Sequence, residues 1–189
     1  MKKYLLIAVA ALAVAAISCN KDKEVTKDKE EKSDYSKLVI NEVNATAATD
    51  AEKFVEFYNG GDKACSLEGV TIKRTDETNA TEEVWAGLAG EKVPAKGFFV
   101  IQGTKRSLER SLSSGVSAKK GVKLEVFDPD GKSVTSVQHG DPADATVAIA
   151  INTGIWARIP DGGAWKNVTN PTAGKANDAT GAQDDAQLK

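Results

Sequence analysis

The chain has 189 residues, 41% hydrophobic and 28% charged, with 25 Lys+Arg against 27 Asp+Glu for a net charge of −2. That length suits one ordinary domain plus extensions, and so even a charge balance argues against a dedicated nucleic-acid binder. One His and two Cys exclude a multi-ligand His/Cys zinc site and a disulfide-dense scaffold.

Lys2 and Lys3 precede an unbroken apolar run from Leu5 to Ile17. Its 13 residues are too few for a bilayer span of about 20, and the pattern is that of a secretory signal. The run ends Ala16-Ile17-Ser18-Cys19, which resembles the lipobox of bacterial lipoproteins, with Ala16 where Leu or Val is commoner. The resemblance implies a signal over 1–18, cleavage before Cys19 and lipid attachment at Cys19. An ordinary signal peptide with a chance Cys is the bland alternative. Several acyl chains on one residue would give stable anchoring to the membrane. Asn20-Lys21-Asp22-Lys23-Glu24 resembles the surface-export signal of Bacteroidetes lipoproteins, against the plainer reading of a charged spacer.

Residues 20–34 hold five Lys and six Asp/Glu, with Val25 the sole sizeable apolar side chain. Such a segment cannot bury enough surface to offset chain entropy, so a disordered tether is expected over the lipidated linker 19–34. Fully stretched it reaches ~50 Å. Residues 178–189 are similarly polar and are expected to fray as a disordered tail. The folded domain is then 35–177.

Within it, short runs rich in Val, Ile and aromatics alternate with Gly, Asn, Asp and Pro. Strands are expected at 38–43, 54–58, 70–72, 98–101, 123–127, 133–137, 147–151 and 156–159. Asp128-Pro129-Asp130-Gly131 signals a hairpin turn, with Pro setting φ early and Gly supplying positive φ late. Short strands at this spacing predict an antiparallel sandwich or barrel. Leu108 and Leu112 stand at helical spacing within 104–121, which leaves a short helix or a long loop there.

Six stretches together resemble the lamin-tail domain, an immunoglobulin-like β-sandwich. They are Ile40-Asn41-Glu42-Val43, Phe54-Val55-Glu56-Phe57-Tyr58-Asn59, Leu67-Glu68-Gly69, Pro94 to Phe98, Trp156-Ala157-Arg158-Ile159-Pro160-Asp161-Gly162, and Pro171-Thr172-Ala173-Gly174-Lys175-Ala176-Asn177. Lys53 intrudes between Glu52 and Phe54, and 75–83 and 104–121 look like insertions. The resemblance implies an all-β fold and makes Asn41, Glu42, Glu56, Asn59, Trp156, Arg158, Asp161 and Gly162 structural. It also implies a non-catalytic module.

Each residue suited to chemistry also has a plainer role. His139 has no nucleophile motif beside it and reads as an exposed loop His. Gly131-Lys132-Ser133 mimics the end of a phosphate loop but lacks its first Gly, since Val126 stands there. Glu42 and Glu56 are the best carboxylate pair for glycosidase-type acid–base work, against a role holding loop backbone. Asp128, Asp130, Asp141, Asp144 and Asp161 read as turn residues offering at most weak Ca²⁺ binding, and no other cofactor is expected. Cys65 reads as a buried small apolar residue.

Trp85, Lys105, Arg106 and Arg110 are the candidate ligand contacts. Lys105, Arg106, Arg110, Lys119 and Lys120 make 104–121 locally basic. That is a solvated loop on the plain reading and a surface for an anionic glycan or acidic protein on the sharper one. The expectation is a lipid-anchored, non-enzymatic binding or adhesion module at the outer membrane. It would face the cell exterior and bind a glycan or protein, not nucleic acid. A periplasm-facing envelope assembly protein and a glycan-processing accessory protein are the alternatives.

Overall fold

The computed structural model describes residues 32–49, 52–103, 112, 115–144, 146, 149 and 153–189. After a 3-10 turn at Tyr35–Lys37, the strands in chain order are β1 (Leu38–Asn44), β2 (Phe54–Asn59), β3 (Cys65–Ser66), β4 (Thr71–Thr75), β5 (Thr81–Ala86), β6 (Lys92–Val93), β7 (Phe98–Gln102), β8 (Val122–Phe127), β9 (Ser133–His139), β10 (Ile155–Ile159) and β11 (Ala164–Asn167). Seven of the eight expected strands are present. The eighth, 147–151, falls outside the described residues except for Ile149, which is irregular.

One sheet has the order β11-β10-β1-β2-β7 and the other β5-β4-β8-β9, with β3 and β6 forming a small pair beside them. Every pairing is antiparallel. The inner faces share one apolar core: Leu38, Ile40, Val43, Val55, Phe57, Ile101 and Trp156 meet Ile72, Leu124, Val126 and Val137. This is an immunoglobulin-like antiparallel β-sandwich.

A β-bulge in β1 sets the positions that matter most. The β1–β2 register runs Ile40↔Phe57 and then Glu42↔Glu56, leaving Asn41 as the extra residue. Side chains on a strand alternate faces, so an extra residue switches the phase. Leu38 and Ile40 enter the core before the bulge and Val43 after it. Glu42 is thereby turned to the outer face of its sheet, opposite Glu56. A second bulge in β5, between the pairs Ile72↔Trp85 and Lys73↔Glu83, leaves Val84 extra and buries both Val84 and Trp85.

The β8–β9 hairpin closes as its sequence predicts. Gly131 has φ +79° and donates its N–H to the Asp128 carbonyl, while the Asp128 carboxylate accepts from the N–H groups of Asp130 and Lys132.

One expectation is filled in and one needs correction. Residues 75–83, whose loop geometry the sequence left open, form the end of β4, the turn and the first half of β5. The C-terminal residues, expected to fray, are tied down: Asn167 bridges Gln183, His139 bridges Leu188, and Gln138 and Lys189 exchange backbone hydrogen bonds of 2.8 Å. Their polar composition misled because the stabilisation is mostly backbone pairing, plus Leu188, 9% exposed. As for 104–121, Thr104–Ser111 lies outside the described residues. Leu112, Val116 and Ala118 are buried in irregular chain.

Candidate functional site

Glu42 and Glu56 are direct cross-strand partners, both fully buried. Like charges directly opposite each other destabilise a sheet, and no Lys or Arg among the described residues forms an ion pair with either. The C-terminal stretch 171–177 covers them instead. Thr172 donates its N–H to Glu42 Oε1 at 2.9 Å, and its Oγ1 lies 2.8 Å from Glu42 Oε2. Gly174 donates its N–H to Glu56 Oε2 at 2.5 Å.

The bulge residue Asn41 links this pair to the β10–β11 turn. Its Nδ2 donates to Glu56 Oε1 at 3.3 Å and to Asp161 Oδ1 at 3.0 Å, and its Oδ1 accepts from the Gly162 N–H at 3.0 Å. Gly162 holds φ +74°, a conformation that favours Gly. Asn177 then closes the ring. Its N–H donates to Asp161 Oδ1, and its Nδ2 to the carbonyls of Asn41 and Arg158. Arg158 donates Nε to the Ile40 carbonyl at 2.8 Å and Nη1 to the Gly163 carbonyl at 2.7 Å, with its guanidinium over the Trp165 ring. Asn59 holds two further turns through the Lys63 and Pro94 carbonyls and the Gly61 N–H.

Burial away from water pushes the Glu42 and Glu56 carboxyls up, Glu56 to about 7. Their mutual repulsion and Asp161 push Glu56 the same way, against the hydrogen bonds from Gly174 and Asn41. Raised carboxyls are a mark of general acids. A general acid must reach its substrate, however, and here both carboxyls are sealed under 171–177 and bound to its backbone. The arrangement is built to hold the closing segment on the sheet.

Trp85, expected as an exposed ligand contact, lies in the core instead. It is 6% exposed and packs edge-on to Phe57 with ring centroids 5.8 Å apart. The β5 bulge turned it inward, and no sequence pattern announced that bulge. Lys105, Arg106, Arg110 and Cys19 lie outside the described residues. Lys120, at the end of the basic segment, ion-pairs with Glu77, and Arg74 Nη1 donates to the Gly115 carbonyl at 2.8 Å. At these points the basic segment meets this chain's own β4–β5 hairpin.

His139 is not an exposed loop residue either. It ends β9, is 1% exposed, stacks on Trp156, and has Nε2 3.4 Å from Asp185 Oδ2. The tail that covers it is the one expected to fray. Cys65 is buried, and burial pushes its thiol up to about 11. Asp128, Asp141 and Asp144 accept turn N–H groups, and no group of three ligating side chains among the described residues could hold a metal ion.

One open cleft of about 610 Å³ lies on the outer face beside this network. Asn44, Phe54, Val100, Gln102, Ile155 and Pro171 line it, so the closing segment forms one wall.

A family model described as Lamin Tail Domain matches residues 31–141. The match takes in β1 to β9 and ends before the β10–β11 hairpin and the closing segment, so the last two motifs of the resemblance lie beyond it. No curated protein matches the chain.

Proposed function

The chain belongs to the lamin tail domain family, and from that premise we propose that it is a lipid-anchored bacterial surface protein whose sandwich serves as a binding or adhesion module. The family is one of non-catalytic immunoglobulin-like domains. The observation that carries the reading is the sealing of Glu42 and Glu56 under the closing segment, which removes the best acid pair from any substrate. Rigid sandwiches commonly recognise partners through the surfaces at their ends, and the cleft beside β2 and β7 is a concave surface of that kind.

The anchor rests on the sequence Ala16-Ile17-Ser18-Cys19, and the outward address on Lys21-Asp22-Lys23-Glu24. Labelling cells with a radioactive fatty acid tests the first. The protein should carry label, and Cys19→Ala should lose it. Digesting intact cells with an impermeant protease tests the second. Loss of the protein, with a periplasmic control intact, supports surface display. Protection until lysis moves the module to the periplasm and favours envelope assembly. A glycan-processing role would require turnover that Glu42 and Glu56 substitutions abolish without unfolding the domain.

A further inference from the structure

The outer-face network contains one more acceptor than its donors can serve with every carboxyl ionised. Thr172 Oγ1 lies 2.8 Å from Glu42 Oε2 and 2.8 Å from Asn177 Oδ1. A hydroxyl has one proton and can donate to only one of them. The Asn177 amide cannot be turned to relieve this, because its Nδ2 already faces two backbone carbonyls, Asn41 O at 3.2 Å and Arg158 O at 3.0 Å. Asn177 Oδ1 is therefore an acceptor with no proton to give, and Thr172 can serve it only if the second contact draws its proton from elsewhere. The remaining contact, between Thr172 Oγ1 and Glu42 Oε2, needs a proton from Glu42.

Glu42 also accepts the Thr172 N–H, at 2.9 Å on Oε1 and 3.1 Å on Oε2, and the shorter of the two contacts stays with Oε1 when Oε2 carries the proton. Glu56 has no hydroxyl partner among the described residues. Asn41 Nδ2 faces one of its oxygens and the Gly174 N–H faces the other. Both partners are donors, which suits a carboxylate. Burial, with repulsion from Glu42 and Asp161, raises Glu56 as well, and for two such coupled groups the positions of the donors decide which one holds the proton.

We propose that the closing segment 171–177 is clasped by a proton: Glu42 is a neutral carboxylic acid at neutral pH, donating to Thr172 Oγ1, which donates in turn to Asn177 Oδ1, while Glu56 beside it is the carboxylate. The charged groups around the proton are acidic or engaged elsewhere. Glu56 faces it from β2, and Asp161 from the β10–β11 turn. Arg158 on β10 is bound to two backbone carbonyls, Lys166 on β11 pairs with Asp184, and Lys175 on the closing segment is exposed. β7 places Val100 opposite Glu56 and adds no charge there. Removing the proton breaks the hydrogen bond between Glu42 Oε2 and Thr172 Oγ1, leaves the Thr172 N–H on Glu42, and sets a second buried carboxylate against Glu56. The clasp is then an alkaline release, and what it frees is one wall of the cleft, Pro171 and Ala173.

The experiment compares two chemically identical substitutions. In Glu42→Gln the amide N–H₂ can replace the acid proton toward Thr172 Oγ1, and the amide oxygen can still accept from the Thr172 N–H. In Glu56→Gln the amide N–H₂ must face either Asn41 Nδ2 or the Gly174 N–H, donor against donor. Thermal midpoints of the full chain, read from mildly acidic to mildly alkaline pH, should show Glu42→Gln level with wild type in acid and above it in alkali, while Glu56→Gln lies below wild type throughout. An acid carboxyl with a raised folded-state pKa loses stability as pH rises, so a Gln mimic gains relative to it.

A second reading uses the wild-type protein. Infrared spectra at neutral pH should contain a protonated carboxyl band that Glu42→Gln lacks. Hydrogen-exchange protection at Thr172 and Gly174 should fall in alkali while the β1–β2 ladder stays protected. Destabilisation of Glu42→Gln in alkali, or its failure to fold, overturns the proposal, as does the absence of the infrared band in wild type.

Discussion

His139 on β9 lies flat against Trp156 on β10, with ring centroids 4.5 Å apart and ring planes 27° from parallel. The two strands belong to different sheets, so this stack ties the sandwich across its core. The imidazole is sealed by the tail residues Asp185 and Leu188. Desolvation holds its pKa below the ordinary 6.5, with Asp185 opposing that shift. The unfolded chain therefore takes up a proton at a higher pH than the folded one does. Stability from this residue is full above the unfolded value and falls as pH drops through the folded value. His139→Phe should keep the stack and remove the slope, which is at most about 1.4 kcal/mol per pH unit for one proton. Urea midpoints between about pH 7 and pH 5 should drop for wild type and drop less for the variant. Equal drops would assign the acid sensitivity to other groups.

Trp85 carries core packing, so its truncation should be felt as stability. Trp85→Ala should cost about 3–5 kcal/mol. Trp85→Phe should cost less, since it keeps an aromatic ring against Phe57 and Phe99. A ligand-stacking Trp would behave the other way, losing affinity at unchanged urea midpoint.

Much of this fold can be read from the residues because its strands are written in local pattern. β8 alternates buried and half-buried positions along its length, β8 and β9 flank an Asp-Pro-Asp-Gly turn, and β10 carries its own Trp-x-Arg spacing. Asn41, Glu42 and Glu56 can be picked out as structural from the family resemblance. What escapes is non-local. The bulge that turns Trp85 inward is a register property of two strands, invisible in either alone. The burial of His139 depends on a tail nearly fifty residues later in the chain. That tail has one large apolar side chain, Leu188, and is held by backbone hydrogen bonds that leave no mark on composition.

Deleting residues 183–189 should therefore destabilise the domain, although composition marks them as dispensable. The loss includes the Asn167–Gln183 and Gln138–Lys189 backbone pairs, the Asp185 contact to Asn167, and the Leu188 contact with the core. Burying one Leu is worth about 1.5–3 kcal/mol and each hydrogen bond about 1 kcal/mol net, part of which water restores. A loss of about 2–4 kcal/mol in urea unfolding is expected. Leu188→Ala at full length should recover the backbone share of that loss. A truncated chain as stable as the full one would mean that the tail is only draped on the surface.

Asn41 is the position where amide and acid should differ most. Its Oδ1 accepts from Gly162 while its Nδ2 donates to two acids, Glu56 and Asp161. Asn41→Ala leaves the Gly162 N–H and both acid oxygens without this partner, at a cost of about 2–4 kcal/mol. Asn41→Asp keeps the acceptor for Gly162 but puts an oxygen where a donor is needed, adding a third carboxyl beside two others. At neutral pH the Asp variant should be less stable than the Ala variant, despite nearly conserving the wild-type shape. Its carboxyl would ionise only at raised pH in the fold, so its stability should recover as pH falls, whereas the Ala variant has no such group. Urea midpoints of both variants at neutral and mildly acid pH read this difference. An Asp variant as stable as wild type at neutral pH would show that the Asn41 amide is not the donor that joins the β1 bulge to the β10–β11 turn.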